Sequence, residues 1–415
     1  MKTMLSRSKT AARCLLLMMI LGYSAEGVSQ IDFELREEEP RGPGNIHLVK
    51  SHSADFDGDG DVDFLIAGTR RVGSQKYITE LYLNPGNGEV ILTPDPFIDC
   101  NTAAIADVDG DQDQDVLISG QCLGNNPKSL LYLNDGSGNF TPVFEDQFPG
   151  LRLSTVEFFH YDSDGLPDLF MAGQFTDLSK LATVYRNEGN GSFQEIPQPG
   201  ISPLLTSVSV ELGDIDNDGD SDLIYSGKRD LYYRGTFIYL NNSGAFSGPK
   251  KLNDLIEGDL KLRDLNLDGF LDLLVIGWDS NSKYGTVYYL NDGEGNFVPA
   301  PDQVFFTASF PSIEVHDFDG DEDPDIFIGG REGLDVNGIR NGNALYLNDG
   351  SGNFTLTNEL ENFGTGGMAI GNFDGQSYAD IIIFGNTVHN TGPIKHLVYL
   401  NRTEVDQVPS ASDLL

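Results

Sequence analysis

Basic residues are scarce in this chain. Its 415 residues hold 26 Lys and Arg against 64 Asp and Glu, a formal charge of −38. Nucleic acid demands a basic surface to meet its phosphates, so that class of ligand is disfavoured, and anionic membranes with it. Histidine is sparse too, with six residues and no H-E-x-x-H pair. No G-x-S-x-G, P-loop or dinucleotide fingerprint occurs, which leaves the common hydrolase and nucleotide chemistries without a motif. There are three Cys and one Trp. Apolar residues are not lacking. With 39% hydrophobic residues and 25 Phe the chain has a core to bury, and acidity here does not mean disorder.

The N-terminus reads as a secretory leader. Lys2, Arg7, Lys9 and Arg13 form a basic region, "CLLLMMILGYS" (14–24) a short apolar core, and "GVS" (27–29) a small-residue cleavage signal ahead of Gln30. The run is shorter than the ~18 residues a membrane span needs, and no later segment could cross a membrane. The expected division is 1–29 signal peptide, 30–403 one folded unit and 404–415 a flexible tail. Export places the protein outside the cytoplasm: secreted, at the cell surface, or in a periplasm.

What the mature chain has in abundance is aspartate in a fixed pattern. Acidic loops begin at Asp55, Asp107, His160, Asp214, Asp264, Asp317 and Asn372, at steps of 50 to 55 residues. A second motif follows each loop, as in "LYLNDGSGNF" (131–140) and "YYLNDGEGNF" (288–297). Each repeat holds four strand candidates. One leads into the loop, one leaves it ("VLISG", 116–120), the third is the "LYLN" run, and the fourth follows a Gly/Asn/Asp turn. The second strands are apolar without alternation, which implies burial on both faces. Four strands in about 50 residues specify a β-propeller, here all-β with seven four-stranded blades. The seventh repeat stops after its third strand. "IDFELRE" (31–37) reads as the missing fourth, so the N-terminal strand is expected to complete blade 7 and close the ring.

The D-x-D-x-D-G-x-x-D loops, the I-x-G strand ends and the YLN-x-G-x-G-x-F turns resemble FG-GAP/VCBS repeats, those of the integrin α-subunit propeller and of many secreted bacterial proteins. The resemblance spans nearly all of residues 31–401. A loop with oxygen ligands at positions 1, 3, 5 and 9 suits Ca²⁺, which takes six to eight oxygens; a stricter octahedron makes Mg²⁺ a poorer match. Full ligand sets are Asp55, Asp57, Asp59 and Asp63; Asp107, Asp109, Asp111 and Asp115; Asp214, Asp216, Asp218 and Asp222; and Asp317, Asp319, Asp321 and Asp325. Loop 5 (Asp264, Asn266, Asp268, Asp272) keeps every oxygen. Loop 3 places His160 ahead of Asp162, Asp164 and Asp168 and is weakened. Loop 7 (Asn372, Asp374, Gln376, Asp380) has two carboxylates and is expected weak or empty. The sequence thus calls for about five strong calcium sites with a structural role. At position 6, Gln112 and Glu322 stand where the family favours Gly, and a left-handed backbone is expected there.

Taking Asp107 and Asp115 as facing residues puts Cys100 opposite Cys122, within disulfide reach. A bridge and two buried thiols both remain open. In the integrin family the loops between strands two and three lie on the ligand-binding face, opposite the calcium hairpins. Here those segments (69–80, 121–130, 174–183, 228–236, 278–286, 331–344 and 386–396) hold 12 Lys and Arg against 6 Asp and Glu. Candidate contact residues are Arg70, Arg71, Lys228, Arg229, Arg234, Trp278, Lys283, Tyr284, Arg331 and Arg340. The expected role is a binding or adhesion module, a monomer whose partner is a glycan or an extracellular or cell-surface protein. The alternatives are a polysaccharide lyase or hydrolase on the same face, or a structural part of a cell-envelope assembly. No catalytic residue is assigned.

Overall fold

The structure is a computed structural model. It describes residues 31, 33–37, 45–72, 74–87, 89–94, 96–124, 126–198, 200–204, 206–230, 233–281, 283–301, 303–334, 342–358, 360, 363–376, 378–387 and 395–403. The expected signal peptide and tail lie outside these residues.

Among the described residues twenty-eight strands form seven four-stranded antiparallel sheets, the blades of a propeller. Blade 1 is built from Asn45–Ala54, Asp63–Val72, Ser74–Leu83 and Ile91–Leu92. Blade 2 comprises Thr102–Ala106, Asp115–Gln121, Pro127–Asn134 and Phe140–Val143, and blade 3 Arg152–Phe159, Asp168–Gln174, Lys180–Asn187 and Phe193–Ile196. Blade 4 comprises Thr206–Gly213, Asp222–Lys228, Arg234–Tyr239 and Lys250–Asn253, and blade 5 Ile256–Arg263, Asp272–Trp278, Tyr284–Asn291 and Phe297–Pro299. Blade 6 comprises Thr307–His316, Asp325–Leu334, Asn343–Leu347 and Thr355–Asn358. Blade 7 takes Phe363–Gly371, Asp380–Thr387 and Lys395–Asn401 from the C-terminal end. Its fourth strand is Phe33–Glu37, paired antiparallel to the third with Phe33 opposite Asn401. The N-terminal strand therefore closes the ring, as expected.

The core is divided among the blade interfaces. Each of seven apolar clusters joins two neighbouring blades, as where Phe64 and Tyr82 of blade 1 meet Phe373 and Phe384 of blade 7. The second strands sit between both interfaces. In blades 2 to 5 their first six residues are all buried, which explains why they lack alternation.

One register differs from expectation. Ala106, not Asp107, faces Asp115, so the ladder of blade 2 is offset by one residue. Farther out the Leu123 N–H donates to the Asp99 carbonyl. The offset is recovered by one extra residue near Gly120, whose φ of 113° only glycine adopts without strain. The Asn101 side chain accepts the Gln121 N–H there. Cys100 and Cys122 are thereby brought together and form a disulfide.

Candidate metal centre

Each acidic loop is a short turn between the first and second strands of its blade, folded around its own side chains. In loops 1, 2 and 6 the position 1 carboxylate accepts backbone N–H groups from positions 4 and 6, and in loops 4 and 5 from positions 5 and 6. Asp107 takes Gly110 at 2.7 Å and Gln112 at 2.9 Å, and Asp317 does the same with Gly320 and Glu322. This wrap needs a left-handed residue at position 6, and Gln112 (φ 78°) and Glu322 (φ 72°) adopt it, as expected. Position 5 holds position 7, as when Asp59 accepts the Asp61 N–H at 2.9 Å.

Position 3 points inward. Asp109 Oδ1 and Asp216 Oδ1 are buried and have no hydrogen-bond partner. Four sets of carboxylates converge, each with one oxygen per residue within 4.8 Å of the others. They are Asp55, Asp57 and Asp63; Asp107, Asp109 and Asp115; Asp214, Asp216 and Asp218; and Asp317, Asp319 and Asp325. Burial, then repulsion from neighbouring aspartates, raises the Asp57, Asp109 and Asp216 carboxyls above the ordinary range. A buried oxygen without a donor among like charges fits a cation.

The position 9 aspartate has a second duty that its place in the motif did not reveal. Asp63 is fully buried; its Oδ2 accepts the Phe56 N–H at 2.8 Å and its Oδ1 the Asn84 N–H at 2.7 Å. Asp115, Asp168, Asp222, Asp325 and Asp380 repeat the pattern. Burial pushes Asp63, Asp115 and Asp222 up to about 7 and Asp325 to about 8, against the pull of these hydrogen bonds. The asparagine of the YLN motif continues the chain of contacts into the preceding blade. Asn134 Nδ2 donates to the Phe56 carbonyl, Asn187 to Val108, Asn291 to Ile215, Asn348 to Leu265 and Asn401 to Phe318, at 2.8–2.9 Å.

This repeated unit matches a known family model, described as the FG-GAP-like repeat, over residues 55–118, 107–171, 160–225 and 264–328, more than half of the chain. The chain belongs to the FG-GAP-like repeat family. No curated protein matches it. Among solved structures it is similar to the V. cholerae biofilm matrix protein Bap1 at 12% identity and TM-score 0.40, covering 89% of this chain and 91% of that one. It is also similar to a fructofuranosidase from Schwanniomyces occidentalis complexed with fructosylnystose, at 9% identity and TM-score 0.29, covering 89% and 92%.

The remaining FG-GAP loops differ. In loop 5, Asn266 donates to Asp268 Oδ2 at 3.0 Å and accepts the Asp268 N–H through its own oxygen. In loop 3, His160 is exposed and its Nδ1 lies 3.2 Å from the Leu166 carbonyl. In loop 7 a protein cation stands at the carboxylates, since Arg402 pairs with Asp374 and with Glu34.

On the opposite side the expected loops are largely strand. The second strand of blade 1 runs to Val72 and the third begins at Ser74. The side chains of Arg70, Arg71, Arg331 and Arg340 lie outside the described residues. The described candidates cluster on blades 4 and 5. Arg229 lies over the Tyr233 ring at 4.3 Å and donates to Ser202 Oγ. Lys228 pairs with Glu257, and Arg234, its cross-strand neighbour, has a buried Nε without a partner. Trp278 and Tyr284 face each other edge-on at 4.2 Å beside exposed Lys283.

A further charged ring was missed by sequence reasoning. Three residues before their loops, the innermost strands carry His52, Glu157, Glu211, Lys261 and Glu314. Lys261 approaches Glu314 at 3.7 Å, and Glu211 accepts the Leu262 N–H. Burial and the neighbouring lysines hold His52 down at about 4. The signal was a shared offset from the aspartate motif, visible once the repeats are aligned on it.

Proposed function

We propose that this FG-GAP propeller is an exported binding module, held in shape by Ca²⁺ and engaging a glycan or an extracellular protein through the face opposite the metal loops. The calcium reading rests on the four convergent carboxylate sets and the unpartnered buried oxygens of Asp109 and Asp216. Bound there, Ca²⁺ would supply charge neutralisation, and residues at positions 1, 3, 5 and 9 would hold it. The observation that carries the recognition role is the segregation of charge. The strand-two to strand-three segments hold 12 of the Lys and Arg in a chain of net charge −38. Arginine forks recognise anionic groups, and the Trp278–Tyr284 pair offers rings for stacking.

The test is an array of glycans and matrix proteins probed in Ca²⁺ with the full chain and with a Trp278→Ala, Arg234→Ala variant of matched melting temperature. Binding that is lost in the variant supports the face and identifies the ligand class to assay for turnover. Binding that survives, or is absent from both, refutes the assignment.

A further inference from the structure

In blades 2, 4, 5 and 6 the third-strand tyrosine has a repeated duty. The Tyr132 hydroxyl accepts the Ile98 N–H at 3.2 Å, Tyr239 that of Ser202 at 3.3 Å and Tyr346 that of Phe306 at 2.6 Å. Tyr289 meets Asn253 Nδ2 at 3.2 Å. The first three partners belong to the segment leading into the same blade, and Asn253 ends the fourth strand of blade 4 just ahead of blade 5. Outside these blades the duty lapses: Tyr82 of blade 1 donates to Glu80 Oε2 of its own strand at 2.8 Å, and Tyr185 of blade 3 has no lead-in partner. Tyr185 is 4% exposed, and its hydroxyl makes no hydrogen bond among the described residues. The lead-in segment instead sets Phe148 edge-on to the Tyr185 ring, with centroids 5.1 Å apart. A cleft of about 460 Å³ opens beside them, walled by Phe148, Phe175 and Phe193, with Asp146 and Glu195 at its mouth.

Glu195 is the cross-strand partner of Tyr185, so both stand on one face of the sheet. Burial, and then the Glu195 charge, raise the Tyr185 hydroxyl, which keeps it protonated. Among the described residues neither the Glu195 nor the Asp146 side chain takes part in an ion pair or hydrogen bond, and both residues are exposed.

We propose that this cleft binds an organic cation, an ammonium or guanidinium group carried on an aliphatic stem. Two carboxylates and no basic side chain line it, so an anion is repelled. The Tyr185 oxygen offers a third acceptor at depth. The phenylalanine walls attract a cation through their rings and cover an apolar stem. A lysine or arginine side chain of a partner protein and a free diamine share this chemistry. Phe175 and Leu181 belong to segment 174–183 of the face assigned above, but the cleft uses none of the contact residues named there and selects the opposite charge.

Isothermal titration calorimetry of the full chain in Ca²⁺ separates the sources. The probes are cadaverine and agmatine on one arm, and the N-acetyl, N-methylamide derivatives of lysine and arginine on the other. Methyl glucoside is the uncharged control. Binding at least tenfold weaker in Glu195→Gln and about fivefold weaker in Tyr185→Phe is expected. Glu89→Gln, which removes the same charge from an exposed site on blade 1, should bind as the parent does. Tighter binding of the free diamines points to a small amine, and tighter binding of the blocked residues to a partner side chain. Equal behaviour of Glu195→Gln and Glu89→Gln would mean diffuse attraction to an acidic surface and overturns the proposal. So does methyl glucoside binding as well as the amines, or no binding by any probe. Glu195 is exposed, and matched melting of the variants establishes that they are folded.

Discussion

Replacing Asn187 by Ala should destabilise the ring more than any comparable change on its surface. Asn187 is 1% exposed. Its Nδ2 donates to the Val108 carbonyl of blade 2 at 2.8 Å and to Pro167 at 3.1 Å, and its Oδ1 accepts the Gly189 N–H at 2.8 Å. The two 2.8 Å bonds contribute about 1 kcal/mol net each, and a buried carbonyl left unpaired costs about 1–3 kcal/mol, so the loss is about 3–5 kcal/mol. Unfolding entropy scales with length and reaches about 0.8 kcal/mol/K for a propeller of this size, so the melting temperature should fall by ~4–6 °C. The assay is calorimetric melting at fixed Ca²⁺ and scan rate. Asn187→Asp keeps the shape but sets an accepting carboxylate oxygen against the Val108 and Pro167 carbonyls, so it should cost at least as much. Asn139 bonds only to Asp135 across an exposed turn, and Asn139→Ala should stay within about 0.5 kcal/mol. If Asn187→Ala melts no lower than Asn139→Ala, the asparagine is not an inter-blade staple and the reasoning fails.

Chelation by EDTA should lower the melting temperature, and Asp216→Ala should remove one Ca²⁺ per chain in equilibrium dialysis without abolishing the rest; unchanged stoichiometry would remove loop 4 from the set of sites. Reduction of Cys100–Cys122 opens a loop with a sequence separation of 22 residues, which should cost about 3 kcal/mol; dithiothreitol leaving urea unfolding unaltered would contradict this. Glu211, facing Lys261, Glu157, Asp259 and Lys50 across the inner strands, is pushed by burial from 4.5 up to about 7. Its carboxyl is neutral in both states below about 4.5 and charged in both above about 7, so its destabilising effect grows as pH rises through that window. Glu211→Gln should therefore gain stability relative to the parent between pH 5 and pH 8, and parallel pH profiles would refute the assignment.

The blades were legible because their signals are repeated and one-dimensional. Seven aspartate loops at near-constant spacing and unbroken apolar second strands allow few folds besides a propeller, and the truncated seventh repeat implies its own N-terminal strand. Details that depend on single residues were not legible. The strand offset around Gly120 comes from one inserted residue, and no pattern of alternation in Thr102–Ala106 announces it. Similar register shifts interrupt the first strand of most other blades, as between Arg152 and Thr155, where Leu153 takes a φ of 51°. A leucine carries no sequence mark for that conformation. The cleft beside Tyr185 was hidden for a related reason. "VYRN" reads as one more copy of the motif, and only the path of residues 146–149 leaves its hydroxyl unused.

The shared aspartate at position 9 explains why loop and blade behave as one unit. Asp63 holds the Phe56 N–H, and the carbonyl of Phe56 is held in turn by Asn134 of the next blade. Asn134 has its own N–H on Asp115, which holds Val108, whose carbonyl takes Asn187. Each link has one end in an acidic loop and the other in its neighbour, and the same pattern runs on to Asn401 on Phe318. Apolar packing between blades is tolerant of small sliding, whereas these bonds fix each loop against the third strand of the following blade. A cation gathering Asp55, Asp57 and Asp63 would therefore act on more than its own turn, because fixing the Asp63 carboxylate fixes Phe56 and with it the Asn134 contact. Loss of the ion from one loop should then loosen the next blade first. Hydrogen exchange after Asp57→Ala should show it as faster exchange of the Asn134 amide, while the Asn291 amide of distant blade 5 keeps its rate.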